Sequence, residues 1–217
     1  MTLRGTAARE ARLAEVIGAV ARQALADWGA ERIALLDDGS PEAALAARLL
    51  EDAPTAVPVI QVAISAAQLE SLLQLLPPSQ DAGRVAAEAR RLYARLLDNA
   101  LPASPENKTS LLLGGALPPE PLLPLGDLYA SEVAELAGGW SAPPEIREMA
   151  KSAGGIERLD GALRERIEER NPAGLEALPV AGRLAVERAL ARGRASRLFP
   201  RIVPKIGSRT LGLDLFE

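Results

Sequence analysis

Acid–base and ligand chemistry in this chain must come from carboxylates, lysines, tyrosines and hydroxyls, because its 217 residues include neither cysteine nor histidine. That composition excludes disulfides, thiolate nucleophiles, Ser-His and Cys-His catalysis and ordinary zinc sites. Two groupings of the remaining residue types could do chemistry. The first is Asp37-Asp38-Gly39-Ser40-Pro41-Glu42, whose three carboxylates could hold magnesium or calcium if further ligands converged on them. The second is Asn107-Lys108-Thr109-Ser110 with, further on, Gly126-Asp127-Leu128-Tyr129. It offers an amide, a cation, hydroxyls and a carboxylate. Read only locally, Asn107 and Asp127 are also favoured helix caps, and Tyr129, at helical spacing from Val133, is suited to a core position.

The elements that must position these residues read as alternating strands and helices. Residues 6 to 28 carry Leu13, Val16, Ile17, Val20, Ala24 and Trp28 at helical spacing, and Gly29 is a C-terminal stop. Arg32-Ile33-Ala34-Leu35-Leu36 is a short apolar run suited to a buried parallel strand. Helices are expected over 41–51 and 67–76, with a second strand over 57–64 between them. Pro77-Pro78-Ser79-Gln80 is a linker, and a helix follows over 82–99. The proline-rich stretch 100–124 reads as loop around a short helix at Asn107-Lys108-Thr109-Ser110-Leu111-Leu112-Leu113. Asp127 is expected to cap the next helix, which ends at Gly138-Gly139. Further helices are expected from Pro143-Pro144, over 159–170 and over 179–192. This order predicts an α/β fold: a doubly wound, mainly parallel sheet with helices on both faces and a helix-rich C-terminal half. The whole chain, 1–217, is expected to form a single domain, with 199–217 as an extended tail.

The turn after the first strand has its own logic. A polyphosphate needs unpaired backbone N–H donors and positive potential. Pro41 has no N–H to give, and Asp37, Asp38 and Glu42 are negative. A like-charge pair ~4 Å apart near a surface costs on the order of 1–4 kcal/mol. The same residues suit a self-satisfied helix start: Ser40 as N-cap, Pro41 at the first helical position, and Glu42 against the positive end of the dipole.

Composition narrows the function classes. A net charge of −4 gives no electrostatic reason to expect nucleic acid or an anionic membrane as partner. The C-terminal third is locally basic, with Arg183, Arg188, Arg192, Arg194, Arg197, Arg201, Lys205 and Arg209. It reads as a solvated helix face with a charged tail, or as an anion-binding tail. No window has the length of a membrane span, and the first thirty residues lack a signal pattern, so a cytoplasmic location is expected.

Asn107-Lys108-Thr109-Ser110-Leu111-Leu112-Leu113-Gly114, followed by Pro124-Leu125-Gly126-Asp127-Leu128-Tyr129-Ala130-Ser131-Glu132-Val133-Ala134-Glu135-Leu136, resembles the ammonia-dependent NAD synthetase family, in which an NKTE motif precedes PLGDLYKTEVxELA. That family's phosphate-binding turn is SGGxDS. Aligned on Gly39, its serine falls on Asp37, its first glycine on Asp38, its metal-binding aspartate on Pro41 and its last serine on Glu42. The metal-binding glutamate of NKTE falls on Ser110, and the phosphate-contacting lysine of GDLYK on Ala130. Gly83-Arg84-Val85-Ala86-Ala87-Glu88-Ala89-Arg90 is similar to the family's GNIxARxR helix, which contributes to its dimer interface and nucleotide pocket; Arg90 is retained. Ser104-Pro105-Glu106 stands where the family has GTG.

The resemblance implies an adenine-nucleotide α-hydrolase-like fold and a vestigial nucleotide cleft at Gly39, Ser40, Arg90, Asn107, Lys108, Thr109 and Asp127, with no catalytic residue and no metal ligand assigned. The implied role is that of a catalytically inactive homologue acting as a binding or interaction protein, as a homodimer or paired with an active synthetase. The alternative is an active synthetase with a remodelled site, which would use ATP and Mg to amidate deamido-NAD to NAD with ammonia.

Overall fold

In a computed structural model the described residues are 3–76, 81–114, 120–193 and 202–206. The first helix, α1 (Leu3–Trp28), leads into β1 (Arg32–Leu36), α2 (Pro41–Glu51), β2 (Val59–Val62), α3 (Ala66–Gln74), α4 (Ala82–Leu96) and β3 (Ala100–Ala103). The helix-rich half follows: α5 (Lys108–Leu113), α6 (Ala130–Ala137), α7 (Pro144–Ala153), α8 (Ile156–Ile167), a 3-10 helix (Pro172–Ala177) and α9 (Val180–Gly193).

β1 and α2 fall where the apolar run and the Ser40-Pro41 start signal put them. β2, Val59–Val62, is shorter than the expected 57–64, and the Pro58 carbonyl just before it accepts Ile33 N–H at 2.8 Å. β3 lies in the stretch expected to be loop. Pro102 within it removes an N–H and masks the strand signal, yet Ala34 pairs with Pro102 in the parallel ladder.

The described sheet has the order β2-β1-β3, all parallel. It continues by isolated parallel bridges from Ala103 to Leu122 and from Leu122 to Ile202. Residues 202–206, within the stretch expected to be an extended tail, are tied to the sheet edge at Ile202, while 199–201 and 207–217 lie outside the described residues. Alternate side chains of β1 go to opposite faces, as pleating requires. Ile33 and Leu35 join Leu101 and Ala103 under α1 and α2, in the main core cluster. Ala34 and Leu36 join Val62 and Ala94 of α4 on the other face. α1 and α2 thus cover one side of the sheet and α4 the other, with α3 packed on α4. A second cluster, built from α5, α7, α8, the 3-10 helix and α9 around Tyr129, forms the core of the C-terminal half.

Candidate functional site

Strand β1 is followed by β2 on one side and paired with β3 on the other, so the chain direction across the sheet reverses between β1 and β3. In open α/β sheets, ligand crevices lie outside the carboxyl ends of the strands at such a switch point. A crevice of about 360 Å³ opens there, between the β1–α2 turn, the segment after β3 and the start of α7.

The turn satisfies its own donors. Asp37 Oδ1 accepts Gly39 N–H at 2.9 Å, Asp38 Oδ1 accepts Ser40 N–H at 3.0 Å, and Ser40 Oγ accepts Ala43 N–H at 3.1 Å. Gly39 takes φ +75°, a conformation glycine adopts without the Cβ penalty. Pro41 starts α2 and has no N–H. The amides that would cradle a phosphate are therefore occupied by the turn's own carboxylates and hydroxyl.

Glu42 does not face the helix dipole from solvent, as its place in the turn suggests. It is 4% exposed, and its carboxylate accepts Ser141 N–H at 2.9 and 3.0 Å and Asn107 Nδ2–H at 3.2 Å. It fastens α2 to the start of α5 and to the segment before α7. Burial pushes its pKa up, opposed by those bonds. The three turn carboxylates have separate partners, and among the described residues no group of three Asp or Glu side chains converges to hold a metal ion.

The carboxylates of Asp38, Glu42 and Glu106 all belong to the crevice wall, and among the described residues no lysine or arginine does. Glu106 is held up to a pKa of about 7, first by burial, then by the charges of Glu120 and Asp38, against the pull of Arg91. Behind it Glu120, 1% exposed, lies 3.5 Å from Arg91 Nε. Burial raises the pKa of Glu120 as well.

The sequence-predicted cleft residues divide into three groups. Ser40 and Asn107 line the crevice, with Gly39 in the turn beside it. Asn107 also caps α5, its Oδ1 accepting Ser110 N–H at 3.0 Å. Lys108, Thr109 and Asp127 form a buried network on the far side of α5. Lys108 Nζ, with no exposed surface, donates to Glu168 Oε1 at 2.7 Å and Asp127 Oδ1 at 3.3 Å, and lies 4.9 Å from the centre of the Tyr129 ring. Thr109 Oγ1 donates to Asp160 Oδ1 at 2.6 Å and accepts Ala130 N–H at 2.9 Å. Asp160 also accepts Ser131 N–H at 2.7 Å; burial raises its pKa, partly offset by these bonds. Asp127 does not cap α6, which begins three residues later. It accepts Ile206 N–H at 2.8 Å instead, while Tyr129 N–H goes to Glu132 Oε2 at 2.9 Å. The third group is Arg90 alone: it lines none of this crevice, and it is Arg91, one position on, that reaches the acidic cluster.

Glu106, Ser141 and the Glu120–Arg91 pair are site residues that sequence reasoning did not single out. The signals for Glu106 were its position directly before Asn107 and its place where the resembled family has GTG. For Ser141 the contact is a backbone N–H, which leaves no mark on residue type.

No family model and no curated protein matches this chain in sequence. The described architecture is a helix-rich α/β fold with a parallel sheet, consistent with an NAD-synthetase-like fold. Among solved structures, the ammonia-dependent NAD synthetase from Campylobacter jejuni subsp. jejuni NCTC 11168, determined in complex with the nitrate ion, superposes with a TM-score of 0.59 at 16% identity. The match covers 89% of this chain and 98% of that one. At that identity the likeness is one of fold. Among the described residues no helix is long and apolar enough to cross a membrane.

Proposed function

We propose that this chain is a catalytically inactive relative of the ammonia-dependent NAD synthetases, acting in the cytoplasm as a binding or interaction protein. One observation carries the reading: among the described residues the switch-point crevice is walled by three carboxylates and no cation, and the turn amides beside it are already hydrogen-bonded. Nucleotidyl and phosphoryl chemistry depends on preorganised positive charge around the phosphates. Removing a single such contact typically costs 10²–10³ in rate. Here the loss is collective: Lys108, the one cation of the two motifs, is used internally.

The interaction surface best suited to a partner is the outer face of α4 with the end of α3. Leu92, Tyr93 and Leu96 are 60%, 55% and 69% exposed, and Leu75 and Leu76, just after α3, are exposed as well. α4 buries only Ala86 and Ala94 inward, so its larger apolar side chains are the ones left facing out. Each such side chain gains ~1.5–3 kcal/mol on full burial. The face is offered to a second copy of this chain or to an active synthetase.

The test is thermal unfolding with ATP and magnesium, run beside a pyrophosphate-release assay with deamido-NAD and ammonia. Neither a shift nor turnover is expected. A ligand at 100 times its dissociation constant would stabilise the fold by ~2.7 kcal/mol, so a clear ATP shift or pyrophosphate release would overturn the reading. Light scattering of the wild type and of Leu92→Glu tests the surface: a two-chain species that the substitution dissociates is expected, alone or after mixing with an active synthetase.

A further inference from the structure

A second cavity, of about 470 Å³, lies away from the switch point, between α1, α6 and α8. We propose that it is a binding site for a small oxyanion, a phosphate or a carboxylate, with donors from Arg12, Arg164 and the Tyr129 hydroxyl. This proposal is independent of the reading of the switch-point crevice.

The argument is an account of which wall groups are already occupied. The cavity wall contains three carboxylates, and each has its partner. Glu132 takes Arg9 Nη2 at 2.7 Å and Tyr129 N–H at 2.9 Å. Glu168 takes Lys108 Nζ at 2.7 Å. Asp127 takes Lys108 Nζ and Ile206 N–H. Arg9 is doubly engaged, its other nitrogen donating to Glu135 Oε2 at 2.8 Å.

The donors on the same wall are left over. Arg12 is exposed and has no hydrogen bond or ion pair among the described residues. Arg164 makes no hydrogen bond among the described residues. It has one loose ion pair, to Glu132 at 3.7 Å, and its guanidinium stacks 4.8 Å from the centre of the Tyr129 ring. Stacking holds the guanidinium plane fixed and leaves its edge N–H groups available, the arrangement that suits bidentate recognition of carboxylate or phosphate.

Tyr129 is the most telling member. It is 1% exposed, and its hydroxyl makes no well-formed hydrogen bond among the described residues, although the Glu168 carboxylate lies near enough to attract its proton. A buried hydroxyl without a full partner is costly, and such a group in a folded protein calls for one. Burial and the neighbouring Glu168 carboxylate hold its proton on far above the ordinary phenol range, so it is a donor at every physiological pH. Two guanidinium edges and a phenol, all donors, around one cavity match a ligand made of acceptor oxygens.

Isothermal titration of the full chain with inorganic phosphate, and separately with citrate, at fixed ionic strength and against a chloride control, tests the site. Saturable one-to-one binding of either ligand is expected. The Arg12→Gln/Arg164→Gln double variant should weaken it about tenfold or more, because it removes the charge-assisted hydrogen bonds to the oxyanion. Tyr129→Phe keeps the ring between Lys108 and Arg164 and removes only the hydroxyl; it should weaken binding about threefold or more while thermal unfolding shows the fold intact. Phosphate alone or citrate alone identifies the source of the oxyanion. Binding of neither, or binding that all these variants leave unchanged, overturns the proposal.

Discussion

Replacing Lys108 by methionine separates a structural lysine from a ligand-binding one. The ammonium has no exposed surface and stands between Glu168 at 2.7 Å, Asp127 at 3.3 Å and the Tyr129 ring. Methionine matches the length of its stem, so the packing against Tyr129 survives and the loss is electrostatic. It leaves two carboxylates, themselves 3% and 11% exposed at the side chain, without their shared cation. Breaking a buried pair from one side costs ~3–5 kcal/mol. In a domain of this size ~1 kcal/mol moves the midpoint by ~2–4 °C, so thermal unfolding should fall by about 6–20 °C. Because the pair is shielded from solvent, the loss should change little between low and high salt. The double variant Lys108→Met/Glu168→Gln should recover part of it, giving a coupling energy in a double-mutant cycle. A loss below ~1 kcal/mol by urea titration, with the fold intact, would refute the buried-network account. It would leave Lys108 as a residue held for something other than stability.

Three further outcomes follow from the same geometry. Glu106 has a folded pKa of about 7 against an ordinary 4.5, so the folded state holds its proton more tightly than the unfolded chain. Its contribution is complete below pH ~4.5 and is lost as pH rises through 7, on the order of 3 kcal/mol at ~1.4 kcal/mol per unit. Glu106→Gln should flatten that part of a stability-versus-pH profile measured by urea unfolding, and an unchanged slope counts against the assignment. Thr109→Val removes the hydroxyl that serves both Asp160 and Ala130 N–H and should cost ~1–3 kcal/mol, read as a lower thermal midpoint. Gly18→Ala would place a Cβ 2.4 Å from Ala53 Cβ. That forces α1 away from the end of α2 at a cost of ~1–3 kcal/mol, and a neutral effect in calorimetry would mean the two segments are not packed that closely.

Much of the frame was legible in the residues because its signals are local. A five-residue apolar run defined β1, and Ser40-Pro41 started α2. Gly138 and Gly154, at φ +72° and +91°, end α6 and α7 as C-terminal glycines do. β3 was hidden because proline inside a four-residue strand erases the local signal. Only its neighbour β1, and the edge contact to Leu122, make an extended conformation favourable there. The crevice divides in the same way. The acidic character of the turn and its lack of free amides follow from residue types within six positions. Where the longer side chains point does not. Glu42 turns inward because Ser141, 99 residues away, offers it an N–H. Lys108 turns from the crevice because Glu168, 60 residues on, lies behind it. The sequence by itself determined the helices and strands whose signals are local, β1 and α2 among them, and which charges the turn carries. The tertiary structure alone decided which charges meet, because a buried ionic group goes where its partner is, and that partner comes from a distant part of the chain.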